Sequence, residues 1–187
     1  MTIPMRHIVY VGCALAGKVY SLRSALQRNH RPLPASDYGL RTAGHRVALM
    51  RDGRAFVDLR VRVSDRRATM TAYEPDTRDL QLCAEIEEIA AADGLIMVLD
   101  SRIGREEANV KAFDYLQRDL ASRGIELASK PVVFQANKRD LDDIVTMDWV
   151  RENFKTSRSF YVESSAMQHT GTLEAIRAVL HLTNAVR

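Results

Sequence analysis

Short apolar runs alternate along the chain with amphipathic stretches of helical length. Arg6-His7-Ile8-Val9-Tyr10-Val11 reads as a strand, with Val9 and Val11 suited to burial. A glycine-bounded loop follows, then a helical stretch to about Asn29. Residues His30 to Gly44 include Pro32, Pro34, Gly39 and Gly44 and read as a loop. Val47 to Met50, a turn at Asp52-Gly53, and Phe56 to Val63 have the pattern of a hairpin. In its second arm Val57, Leu59, Val61 and Val63 alternate with Asp58, Arg60, Arg62 and Ser64, the signature of a half-buried strand near a sheet edge. Ala68 to Tyr73 is a third strand of this region.

The second half is more strongly patterned. Thr77 to Ala92 reads as a helix, with Leu82, Ile86 and Ile89 on one side. Leu95-Ile96-Met97-Val98-Leu99-Asp100 is a continuous apolar run closed by a carboxylate, as in a strand buried on both faces. Arg105 to Arg123 is helical, with Phe113, Leu116 and Leu120 as its stripe. Pro131 to Ala136 is another buried strand. A helix around Met147 to Phe154, a short strand Phe160-Tyr161-Val162 and a final helix from Leu173 complete the chain. Strand and helix alternate, so the pattern predicts an α/β fold: a mostly parallel sheet with helices on both faces.

Composition narrows this further. The chain has 187 residues, 46% hydrophobic and 27% charged, and is expected to form one domain over 1–187. The net charge of +3 is modest and does not argue for nucleic acid. No apolar run nears the roughly 18 residues of a membrane helix. There is no signal-peptide pattern, no myristoylation glycine after Met1 and no prenylatable cysteine at the C-terminus. Cys13 and Cys83 lack metal-ligand spacing, and a reduced, cytoplasmic protein is expected.

Three motifs fall where ligands bind parallel sheets, at the carboxyl ends of strands. The first is Gly12-x4-Gly17-Lys18, in the stretch "VYVGCALAGKVYSL". Its glycines allow backbone N–H groups to face phosphate oxygens, with Lys18 as a nearby positive charge. It equally fits a plain glycine turn between strand and helix. The second is Asn137-Lys138-Arg139-Asp140. A carboxylate at Asp140 can accept both N1–H and the amino group of guanine, a pair adenine does not offer. Asn137 would reach the far edge and brace the phosphate loop, and the stem of Lys138 would cover a ring face; taken alone, these four letters fit a charged turn better. The third is Glu163-Ser164-Ser165-Ala166, whose backbone N–H groups could meet a guanine carbonyl oxygen and which, taken alone, is a polar turn before a helix.

With these three motifs in order, the chain resembles the Ras-like small GTPases, in particular the MglA-like bacterial group that directs cell polarity and gliding motility. "HIVYVG....GK", "ADGLIMVLDSR", "REEAN", "VVFQANKRDL" and "SSA" carry the resemblance over nearly the whole chain. It implies a P-loop NTPase of the Ras-like G-domain type, with a sheet of six or seven strands. It implies GDP or GTP contacts at Gly12, Ala16, Gly17, Lys18, Val19, Tyr20, Asn137, Lys138, Asp140, Ser164, Ser165 and Ala166. It also implies a roadblock-fold or other polarity or motility partner at the switches and the basic strand and turn made by Arg60, Arg62, Arg66 and Arg67, charges that also fit a sheet edge protected from strand-to-strand association.

The family pattern fails at the metal and hydrolysis positions. Val19 stands where the family has a magnesium-ligating Ser or Thr. Ser21 lies roughly 200° further around a helix, so it is no ready substitute. Matching Phe56-Val57-Asp58-Leu59 to the family strand puts Arg54 at the switch I threonine. In Tyr73-Glu74-Pro75-Asp76-Thr77, Asp76 replaces the switch II glycine and Thr77 the water-orienting glutamine. Together these substitutions imply a pseudo-GTPase that binds guanine nucleotide without magnesium, favours GDP, and serves as a regulator or scaffold. The alternatives are a slow GTPase completed by a partner and a nucleotide-free platform. Arg51 or Arg54 is a candidate second cation for a phosphate tail. The five histidines read as structural or solvated, Cys13 as a small packing residue and Trp149 as helix packing.

Overall fold

The computed structural model describes residues 5–27, 47–49, 55–63, 66–73 and 86–184, with side chains described for 6–25, 70 and 86–184. Expectations for Arg51, Arg54, Asp76, Thr77, Cys83, His30 and His45 lie outside the described residues, as do the side chains of Arg60, Arg62, Arg66 and Arg67.

Seven strands form one sheet: β1 (Met5–Val11), β2 (Val47–Leu49), β3 (Ala55–Val63), β4 (Arg66–Tyr73), β5 (Gly94–Asp100), β6 (Val132–Asn137) and β7 (Ser159–Glu163). The spatial order is β2-β3-β4-β1-β5-β6-β7. β4, β1, β5, β6 and β7 run parallel, and β2 and β3 pair antiparallel at one end. The helices among the described residues are α1 (Lys18–Gln27), α2 (Ile86–Ala91), α3 (Glu106–Ala121), α4 (Met147–Asn153) and α5 (Thr172–Asn184).

The alternation of side chains along β6 sorts the helices into layers. Phe134 meets Phe113 of α3 edge-on at 5.6 Å and stacks on Tyr161 of β7 at 5.5 Å. Phe154, just past α4, contacts Phe113 at 5.5 Å, and Trp149 of α4 packs on Phe154 at 5.5 Å. The next residue, Gln135, points the other way and donates to Ser21 of α1. So α3 and α4 cover one face and α1 the other, where α5 packs beside α1. Gly94 lies under α5: a Cβ there would stand 2.8 Å from Val179. β5 and β6 are buried at every residue, which explains their largely apolar sequences.

Two boundaries differ from the pattern in ways that matter. Arg66 and Arg67, read as a turn, are the first residues of β4 and pair with Val63 and Arg62. The ladder forms through backbone groups, so charged side chains do not end it. Asn137, read as the start of a loop, is the last residue of β6 and pairs with Asp100 of β5. Strand geometry therefore fixes the direction of its side chain.

Candidate functional site

The loop between β1 and α1 runs from Gly12 to Gly17 at the carboxyl end of the central strand. Gly12 has φ +134°, and a Cβ there would lie 2.2 Å from the Val98 carbonyl oxygen. Gly17 has φ +99°, and a Cβ there would lie 2.5 Å from Asn137 Nδ2. Both positions need glycine for space as well as conformation.

Five successive carbonyls of this loop accept from side chains outside it. Lys18 Nζ donates to Gly12 at 3.0 Å and Cys13 at 2.8 Å. Arg105 Nη2 donates to Ala14 at 2.8 Å, Lys138 Nζ to Leu15 at 2.8 Å, and Asn137 Nδ2 to Ala16 at 2.9 Å. In a trans peptide the next residue's N–H points opposite to the carbonyl. With the Ala14 and Ala16 carbonyls held by Arg105 and Asn137, the N–H groups of Leu15 and Gly17 point away from those donors. Next to the first turn of α1, such N–H groups are of the kind that can bind an anion.

Two of these donors share an anchor. Asp100, closing β5, is a fully buried carboxylate. Arg102 grips it with Nε at 3.1 Å and Nη2 at 2.8 Å. Lys138 Nζ reaches it at 2.8 Å, and Arg105 Nε lies 3.4 Å away. Burial alone would raise the Asp100 pKa, but the hydrogen bonds from Arg102 and Lys138 outweigh it and hold the carboxyl below its ordinary value. Asn109 of α3 fixes the backbone here, accepting from Asp100 N–H at 3.0 Å and donating to its carbonyl at 2.8 Å. The Cys13 thiol donates to Asn109 Oδ1 at 3.3 Å, and burial pushes its pKa up. A raised thiol pKa leaves little thiolate at neutral pH, so Cys13 is a packing group.

The second and third motifs join the first through Asn137. Its Oδ1 accepts from the Ala166 N–H at 3.0 Å and from Ser164 Oγ at 3.3 Å. Lys138 holds φ +68°, uncommon without glycine, with its ammonium tied to Leu15 and Asp100. Arg139 couples the two loops: its N–H donates to the Ser164 carbonyl and its guanidinium to Glu163 and Val145. Ser165 Oγ accepts from Gln168 N–H, closing a turn. Ser164, Ser165 and Ala166 are buried, and Asp140 is exposed.

Val19 is 5% exposed, its side chain in the core. Ser21 Oγ is buried and accepts from Gln135 at 2.8 Å. Tyr20, by contrast, is exposed at the mouth with Leu15. Asp100, Arg105, Asn109 and Gln135 had no assigned role in the sequence. The available signals were a carboxylate ending an apolar run and an asparagine on the 109–113–116–120 stripe of α3.

No protein-family model matches the chain. It is 28% identical over 178 residues to the mutual gliding-motility protein MglA of Myxococcus xanthus (strain DK1622), covering 94% of this chain and 88% of that protein. Along nearly its whole length the chain is thus similar to a Ras-like small GTPase. Its seven-stranded sheet with helices on both faces is consistent with a Ras-like P-loop arrangement. In this chain the loop after β1, the Asn137 loop and the Ser164 loop meet through the Asn137 side chain. Among the described residues no helix is long and apolar enough to cross a membrane.

Proposed function

We propose that this MglA-like protein binds guanine nucleotide without magnesium, favours GDP over GTP, and works as a regulator or scaffold rather than by turnover. The phosphate nest, Lys18, and the Asp140 carboxylate fit a guanine nucleotide. The magnesium position does not fit its metal. The carrying observation is Val19: an apolar, buried side chain in the first turn of α1, in the place of the family's metal ligand and just after a loop whose carbonyls are held by side chains. Ser21 does not substitute, because its hydroxyl is buried on Gln135. Without a divalent cation the extra charge of a γ-phosphate is poorly neutralised, which favours GDP.

The relative's name ties it to gliding motility. We place this chain in the same cellular setting, cytoplasmic, with a roadblock-fold or other motility protein meeting the switch region and the strand bearing Arg60 and Arg62. The test is calorimetric titration of GDP and GTP into nucleotide-stripped protein, with Mg²⁺ and with EDTA. Tighter GDP binding that ignores EDTA supports the reading. Mg²⁺-dependent binding, or GTP turnover above background with a partner present, would overturn it in favour of a slow switch. No binding in any condition would leave a nucleotide-free platform.

A further inference from the structure

The carbonyls of Ala14 and Leu15 are held by Arg105 and Lys138, and both cations rest on the buried carboxylate of Asp100. Lys18 and Asn137 hold the flanking carbonyls from beneath the loop, whereas Arg105 arrives from the start of α3, across the strand end. Without Arg105 the Ala14 carbonyl loses its donor, and the Ala14–Leu15 peptide is free to rotate. Rotation would turn the Leu15 N–H out of the nest and a carbonyl dipole into it. Leu15 already sits at φ +64°, a conformation a leucine adopts only under constraint. The constraint is on both sides of that peptide: Arg105 before it and Lys138 after it.

The geometry points to Arg105, anchored on Asp100, as a positioning residue that keeps the phosphate loop in its anion-binding form and thereby sets affinity for the terminal phosphate of a nucleoside diphosphate. This rests on the nucleotide-binding reading above. Two features favour it over simple packing. Arg105 Nη2 contacts loop atoms, the Ala14 carbonyl at 2.8 Å and Cys13 Sγ at 3.7 Å, so it constrains the loop directly. Asp100 carries three cationic partners, so Arg102 and Lys138 keep it neutralised when Arg105 is removed and the strand end stays intact.

The test compares GDP with GMP in EDTA, for the wild-type chain, Arg105→Ala and Arg105→Lys. GMP shares the base and sugar contacts but lacks the phosphate that the nest would hold. Arg105→Ala should weaken GDP binding about tenfold, the scale of one lost charge-assisted hydrogen bond, and leave GMP within about twofold. Arg105→Lys should recover part of the loss. Circular dichroism melts should stay within a few degrees of wild type. Equal weakening of GDP and GMP would assign Arg105 a general structural role and overturn the proposal. Unchanged GDP affinity in Arg105→Ala would overturn it too. A wild-type chain that binds neither nucleotide overturns the nucleotide-binding reading, and this assignment falls with it.

Discussion

Replacing Asn137 by alanine tests whether the three loops are one structure. The side chain is buried and makes three contacts: Nδ2 to the Ala16 carbonyl at 2.9 Å, Oδ1 from the Ala166 N–H at 3.0 Å, and Oδ1 from Ser164 Oγ at 3.3 Å. Ser164 keeps an acceptor in the Ala136 carbonyl, so its loss is small. The Ala16 carbonyl and the Ala166 N–H are left without their partners. At about 1–1.5 kcal/mol for each orphaned group, Asn137→Ala should cost about 2–3 kcal/mol. With a urea m-value of about 2 kcal/mol/M, the unfolding midpoint falls by about 1–1.5 M. GDP affinity should fall at least about tenfold, because the nest and the base-side rim lose their shared tie. Asn137→Asp gives a sharper contrast. It keeps the acceptor for Ala166 but sets an oxygen against the Ala16 carbonyl, so it should be worse than Asn137→Ala at neutral pH. A protonated carboxyl can donate to Ala16, so that variant should recover as the pH is lowered. A loss under about 0.5 kcal/mol for Asn137→Ala, outside the range of orphaned groups, would refute the shared-tie account.

Gly17→Ala should cost about 2 kcal/mol and abolish GDP binding in the same titration, since φ is +99° and the new Cβ would sit 2.5 Å from Asn137 Nδ2. Phe134→Ala should cost about 3–5 kcal/mol in urea unfolding, removing the ring shared by α3, α4 and β7. Asp100 titrates below its ordinary value when folded, so its stabilisation is complete above the unfolded pKa of about 3.9 and is lost as the pH falls through the lower folded value. The stability gap between wild type and Asp100→Asn should therefore be flat from pH 7 to 5 and shrink below about pH 4; a gap that widens on acidification would contradict this.

The sheet was largely legible because β5 and β6 are buried on both faces and, apart from Gln135, carry only apolar residues until their last positions. The final helix was legible from Leu173, Ile176 and Leu180, which all face the core. The phosphate loop and the Asn137 loop were legible as motifs because glycine and amide requirements are local. The Asp100 cluster was not. Its partners are two, five and thirty-eight residues away, and only the pairing of β5 with β6 brings Lys138 beside it. The same holds for Gln135, which reads as a polar interruption of a buried strand until Ser21 and Ser164 are seen on either side of its amide. The position of Val19 was plain in sequence, whereas its burial, and the engagement of Ser21, required the fold.

The central claim is metal-independent nucleotide binding, and the most direct measurement is the release rate of a fluorescent GDP analogue with excess Mg²⁺ and with EDTA. The account predicts the same rate in both, and a Val19→Ser variant whose release slows when Mg²⁺ is added. Faster release of wild-type nucleotide in EDTA would show that a divalent cation holds it, and would contradict the account.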